Sequence, residues 1–406
     1  MNSEYDIIIA GGGLVGSCLA VALAESGARI AVIEAIPYQS ESQPSFDDRG
    51  LALSQSSRKI LEAIGLWSVV SGHACPIRRV HVSDRGRFGF MRLHAADLDL
   101  DALGYVVTAR ELGRAVIASI QTHENIELVC PATTVGVVQD TDKVAVSLDM
   151  DGAAVEYNCN LLVAADGARS RISSGLNIPV RSRDYGQTAI VANVTPEGFH
   201  EHTAYERFTS TGPVALLPLS GQHCKMVFTV ESEDAGYYMD LSDMDFLEKL
   251  QERFGRRLGR FTRIGARTAY QLMLQEAEHQ IRGRIVLAGN AAHTLHPHGA
   301  QGFNLSLRDI AALRHSLLPV LKEGGDPGDP VLLEAYLMDR RPDQQRIMNF
   351  SDRLADLFYN QDPLKVVARN GAMVLMDLVP VFKRQLLFLT HGVSGSPTAG
   401  SCFKRL

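Results

Sequence analysis

One stretch of this chain carries residue types and a spacing that can hold a dinucleotide, and two others end buried strands in turns of small and polar residues. Gly11, Gly13 and Gly16 have the G-x-G-x-x-G spacing, with Val15 inside the turn counted in the same site. In such a turn the first glycine permits a tight bend and the second lets the backbone approach a pyrophosphate with no Cβ in the way. The third lets the following helix pack closely on the strand. Glu34 stands near the offset of about 20 residues at which a carboxylate accepts from ribose hydroxyls and repels a 2′-phosphate. The second stretch is Asp166-Gly167. The third is Gly289-Asn290-Ala291-Ala292-His293, followed by Pro297, Gly299, Gln301, Gly302, Phe303 and Asn304. The glycine turn and its acid do not separate a flavin from a nicotinamide dinucleotide.

Each stretch needs an element to present it. The run Asp6 to Ala10 reads as a buried strand, Leu14 to Ser26 as a helix stopped by Gly27, and Arg29 to Glu34 as a second strand. Ile7 to Ala24 carries no charge, but the triplet Gly11-Gly12-Gly13 and the β-branched run before it set aside a membrane span. Leu161 to Ala165 reads as a strand ending in Asp-Gly, and Gly283 to Ala288 as a strand entering a turn of small residues.

With these motifs in this order, the chain resembles the FAD-dependent aromatic hydroxylases related to para-hydroxybenzoate hydroxylase, from about Asp6 to Asp343. The resemblance implies an α/β fold in which a Rossmann-like FAD-binding domain is interleaved with a mostly antiparallel β-sheet substrate domain, followed by C-terminal helices. The FAD-binding domain is expected at 1–75, 101–180 and 271–340, the substrate domain at 76–100 and 181–270, a helical region at 341–390 and a flexible tail at 391–406. It implies that Arg49 approaches the flavin and its phosphates, that Val135 lies where adenine is met by main chain, and that Asp166 supports the cofactor and the nicotinamide donor. Asn290 stands where most of the family has aspartate; its amide oxygen can still accept from a ribityl hydroxyl. Arg110 falls where the family often has Gln or Asn, and is either a ligand or a helix-start residue. No second G-x-G-x-x-G turn follows a strand downstream, so NAD(P)H is expected to visit as a transient electron donor.

Composition narrows the classes. The length of 406 residues and a 46% hydrophobic content suit a globular protein of two domains, or of one large fold with a substantial insertion. A net charge of -6 offers no argument for a nucleic-acid partner. Six cysteines, with no CxxC pair and no metal-ligand spacing, predict reduced thiols in a cytoplasmic protein and no metal site. The sole tryptophan, Trp67, excludes the Trp-x-Trp run of halogenases on this scaffold.

Val80 to Gly86, Tyr185 to Val194, Ala204 to Phe208 and Gly289 to Pro297 resemble the ubiquinone-biosynthesis branch, most closely the 2-polyprenyl-6-methoxyphenol hydroxylases. That resemblance implies oxygen insertion into a polyprenylated phenol: NAD(P)H reduces FAD, O2 forms the flavin C4a-hydroperoxide, and its distal oxygen reaches the ring. A reductase or dehydrogenase on the same fold, or a non-catalytic FAD-binding subunit of a ubiquinone-biosynthesis complex, are the alternatives. A homo-oligomer stays open. No catalytic side chain is assigned; His296, His298, Tyr205 and Arg207 compete with loop and packing roles. A prenylated substrate predicts peripheral contact with the inner face of the cytoplasmic membrane. Val366 to Leu389 has an interfacial composition, against the alternative of packing on the flavin domain.

Overall fold

The structure, a computed structural model, describes residues 3–38, 47, 49–295, 301–359, 362–379, 381 and 383. Ile7, Ile8 and Ile9 are fully buried, the signature of a strand covered on both faces. Their strand, Ser3–Ala10, is the centre of a parallel sheet that runs Ile285–Leu287, Ala153–Ala164, Ser3–Ala10, Ile30–Ile33, Ile126–Val129. Helix Leu14–Leu23 makes the crossover between Ser3–Ala10 and Ile30–Ile33. It buries nearly every residue, ends in a short 3-10 turn, and is stopped by Gly27 at φ 74. Helices Ala109–Ile120 and Gln301–Lys322 flank it and share its core through Leu19, Leu112, Val116 and Leu313.

A second sheet is built on the long strand Val180–Pro196, which pairs antiparallel with Cys224–Glu231 and Thr268–Ala277. Strands Val214–Pro218, Thr203–Phe208, Arg79–Asp84 and Phe90–His94 extend it. Strict alternation splits this sheet into two faces. Ile190, Ala192, Met226 and Phe228 pack under helix Asp243–Phe254 with Phe246 and Leu250. The opposite face looks at a small three-stranded sheet, Gly50–Ser54, Gly104–Thr108 and Cys75–Ile77.

The C-terminal helices are Pro330–Tyr359 and Pro363–Leu378. The latter packs on strand Phe90–His94 of the second sheet rather than on the flavin motifs, through Met373 against Met91 and Leu93 and through Arg369 on Asp84.

Candidate cofactor and substrate site

The register of the parallel sheet brings the sequence motifs to one line. Ile33, Ala10, Ala164 and Leu287 are neighbours across four adjacent strands. The next residue of each strand, Glu34, Gly11, Ala165 and Ala288, therefore opens at the same edge. Backbone bonds continue the row: Gly11 N–H donates to Ile33 at 2.8 Å, Ala165 N–H to Ala10 at 2.7 Å, and Ala288 N–H to Ala164 at 2.8 Å. The chain leaves Ser3–Ala10 to one side and returns on the other, so this edge is a topological switch point where a crevice forms.

Glycine makes the crevice narrow. A Cβ on Gly11, whose φ is 107, would lie 2.6 Å from the carbonyl carbon of Ala165 and 2.8 Å from Asp166 N. One on Gly16 would lie 3.0 Å from Ile9 Cγ2 and run into the Gly11 carbonyl oxygen, so helix and strand touch there. Gly289, at φ 61, is faced by Val15, whose methyls would be 3.1 Å from an added Cβ; the first and third motifs meet at this contact. Gly13 starts helix Leu14–Leu23 with no side-chain cap, which leaves first-turn N–H groups for an anion.

The polar groups are placed to match. Glu34 is held at the mouth, Oε2 accepting from Gly12 N and Oε1 from Ile36 N, both at 2.9 Å. Asp166 Oδ2 accepts from Arg171 N at 2.9 Å, while Oδ1 is buried with no partner among the described residues. A buried acceptor without a donor is costly, and a ligand hydroxyl would relieve it. Asn290 is exposed in the turn Gly289–Ala291. Arg49 leads into strand Gly50–Ser54, paired with Asp47 at 2.7 Å and lying 5.3 Å over the ring of Tyr270.

Gln301 and Asn304 are buried in the first turn of Gln301–Lys322, with Gly302 and Phe303 half-buried between them. The Asn304 amide is taken by protein: its Oδ1 accepts from Ser54 N at 2.9 Å and Ser57 Oγ at 2.6 Å, and its Nδ2 donates to Ala52 O at 2.8 Å. It ties the helix start to the strand that follows Arg49. Arg110 is exposed in the first turn of Ala109–Ile120, and Val135 is exposed on Thr133–Gln139. Pro297, Gly299, His296 and His298 lie outside the described residues. The glycine cradle, the fixed ribose-side carboxylate and the orphaned Asp166 oxygen fit a bound dinucleotide.

The FAD binding domain family matches residues 4–351. The chain belongs to this family. It is 36% identical over 96% of its length to a ubiquinone hydroxylase, UbiL, of Rhodospirillum rubrum, spanning 89% of that protein. It is 29% identical to the 3-demethoxyubiquinol 3-hydroxylase of Escherichia coli, over 97% of this chain and all (100%) of that one. In fold it matches p-nitrophenol 4-monooxygenase of Pseudomonas putida at TM-score 0.81, 20% identity, over 96% of this chain and 99% of the other. The chain is an FAD-dependent aromatic monooxygenase of the ubiquinone-biosynthesis branch, and NAD(P)H is the electron donor typical of its family.

The second sheet of this FAD-dependent monooxygenase adds residues that sequence reasoning missed. Its inward face carries Ala189, Val191 and Asn193 beside Thr229, Val227 and Lys225, with Ala215 and Leu217 next in register. Lys225 is 5% exposed, and its Cβ lies 3.2 Å from where a Cβ on Gly50 would be. Tyr270 is paired with Ala189 on the same face, under Arg49. An apolar patch with one buried cation thus faces the strand that Asn304 fastens. Tyr205 lies on the other face, edge-on to Phe254 at 5.5 Å, and Arg207 pairs with Val214 on that side; neither looks toward Gly50. Only the strand alternation could have pointed to Lys225, and alternation does not say which face is roofed.

Proposed function

We propose that this enzyme hydroxylates the ring of a polyprenylated phenol in ubiquinone biosynthesis, a 2-polyprenyl-6-methoxyphenol, using NAD(P)H and O2. The likeness to hydroxylases that act on ubiquinone precursors supports the substrate class. The observation that carries the chemistry is the inward sheet face, apolar through Val191, Val227 and Ala215, with Lys225 buried beside Gly50. FAD, when bound, supplies the two-electron reduction by NAD(P)H and the activation of O2. The chain does the rest. The glycine cradle and Glu34 would fix the cofactor, the valine face would pack the flat ring, and the sheet over it would exclude water that wastes reducing power. We assign Lys225 as the partner of the phenol oxygen: a lysine cation on this face would favour the phenolate and so an electron-rich ring.

Lys225→Met is expected to keep its FAD and lose about tenfold to a hundredfold in kcat. The acid limb of its pH profile should move to higher pH, because the substrate phenol regains its ordinary pKa; Lys225→Arg should restore part of the shift. An acid limb that stays in place in Lys225→Met would rule the lysine out as the phenol's partner.

The reading as a whole is tested by mass spectrometry of quinone precursors in cells lacking the protein, together with oxygen uptake by the purified enzyme. A prenylated methoxyphenol should accumulate, and oxygen uptake should follow addition of that phenol. A precursor lacking a different ring oxygen would reject the ring position. NAD(P)H oxidation that ignores the phenol would indicate a reductase instead.

A further inference from the structure

Helix Pro363–Leu378 turns a mixed face inward, Val366 and Met373 being buried together with Arg369 and Asn370. Arg369 and Asn370 are buried against the second sheet, where Arg369 donates to Asp84 Oδ2 at 3.0 and 2.8 Å and Asn370 donates to the same oxygen at 3.1 Å. Asn370 Oδ1 accepts from Gly89 N at 2.8 Å, and Asp377 takes the Arg92 guanidinium at 2.9 Å. The outward side holds Leu364, Val367, Leu375 and Leu378, which are 82%, 61%, 51% and 71% exposed. Exposed Ala368, Gly371 and Ala372 fill the positions between them, completing an apolar face at helical spacing. A helix that met only water outside would be expected to carry polar residues on that side.

The neighbouring hairpin continues this surface. Gly89 clamps its tip to Asn370, and on either side Phe88 and Phe90 are 61% and 38% exposed. Between Arg85 and His94 the chain carries Arg85, Arg87 and Arg92 and no carboxylate, while Lys365 is exposed on the helix. Arg85, Arg87, Arg92, Lys365 and Arg369 stand here against Asp84, Asp362 and Asp377, so the region is net positive within a chain of net charge -6. Aromatic and apolar side chains bordered by Arg and Lys match the boundary between acyl chains and anionic headgroups. A two-fold contact between copies would set this cationic border against itself. No described helix is long and apolar enough to cross a membrane, so the contact would be interfacial.

We propose that the outward face of Pro363–Leu378 and the Arg85–Phe90 hairpin tip dock on the surface of an anionic lipid bilayer. The proposal does not depend on the hydroxylase reading. It is tested with the full-length holoenzyme by co-sedimentation with vesicles of phosphatidylglycerol and phosphatidylcholine, and of phosphatidylcholine alone, in the absence of NAD(P)H. The protein is expected to bind the anionic vesicles preferentially. Val367→Asp/Leu375→Asp should bind roughly a hundredfold more weakly with unchanged flavin content, and Arg85→Glu should lose the preference for anionic lipid. Should the aspartate pair not fold, Leu364→Ser/Leu378→Ser replaces it, with the same direction expected. Wild-type protein that stays off anionic vesicles overturns the proposal. So does a folded variant that binds like wild type, or an analytical sedimentation result in which the wild type is a dimer and the variant a monomer.

Discussion

Gly11→Ala protein is expected to purify colourless and to take up no FAD on reconstitution. Two costs meet at this position. A φ of 107 is outside the range that side-chain-bearing residues adopt readily, which costs about 1–3 kcal/mol. The new methyl would also meet main chain rather than a side chain that can turn away, at 2.6 Å from the Ala165 carbonyl carbon. Relief requires the ends of strands Ser3–Ala10 and Ala153–Ala164 to part, breaking the Ala165 to Ala10 bond of 2.7 Å. Overpacking of this kind adds about 1–3 kcal/mol. The sum is within the ~5–15 kcal/mol stability of a folded protein, so the chain should fold while the crevice opens. Because the crevice spacing is what admits the pyrophosphate, FAD affinity should fall by more than about a thousandfold, equivalent to roughly 4 kcal/mol. Gly27→Ala is the control: its φ is 74 but no atom lies within 4 Å of the added Cβ, so it should lose about 1 kcal/mol and keep its colour. Stoichiometric flavin in purified Gly11→Ala would show that the cradle is elsewhere.

What could be read from the sequence was whatever is local. The strand, turn and helix around Gly11, Gly13 and Gly16 are spelled out within one crossover, and Glu34 follows from the length of that crossover. The strands that end at Asp166 and Gly289 were visible as buried runs, but their convergence is a matter of register: Ala164 sits beside both Ala10 and Leu287. Asn304 was identified with the cofactor, yet its side chain binds Ser54 and Ala52, some 250 residues earlier in the chain. The apolar content of Pro363–Leu378 was equally plain, and which side it turned outward was not. That is decided by Arg369 and Asn370 meeting Asp84 across a separation of 285 and 286 residues, a contact with no local trace. Lys225 is hidden for the same reason, since a lysine in an alternating strand reads as solvent-facing until the opposite face is found to be roofed.

Asp309→Ala should be the most destabilising substitution outside the glycine cradle, because Asp309 is a buried anion on which Arg340 and His293 converge. His293, directly after the Gly289–Ala291 turn, lies 2.6 Å from Asp309 Oδ2, and Arg340 Nε donates to Oδ1 at 2.7 Å. Arg340 also reaches Asp343 at 2.8 Å, and Arg308 joins Asp343 at 3.2 Å. Three segments are thereby joined: the third flavin motif, helix Gln301–Lys322 and helix Pro330–Tyr359. Burial alone would raise the Asp309 pKa, but the Arg340 charge and the His293 hydrogen bond outweigh it and bring the carboxyl from 3.8 down to about 2. A depressed carboxyl pKa stabilises the fold fully above the unfolded value, and the contribution is lost as pH falls from 3.8 through 2. Removing the carboxylate leaves Arg340 with Asp343 alone and takes away the partner of His293 Nε2, at a cost of about 3 kcal/mol, read by urea unfolding near neutral pH. The acid sensitivity of the wild type in that window should be correspondingly weaker in the variant. Asp309→Leu/Arg340→Leu should be less destabilised than Asp309→Leu alone, since the pair leaves together and no charge is orphaned. A loss below about 1 kcal/mol in Asp309→Ala would mean that water reaches Arg340 and the network does not hold the flavin turn to the helices.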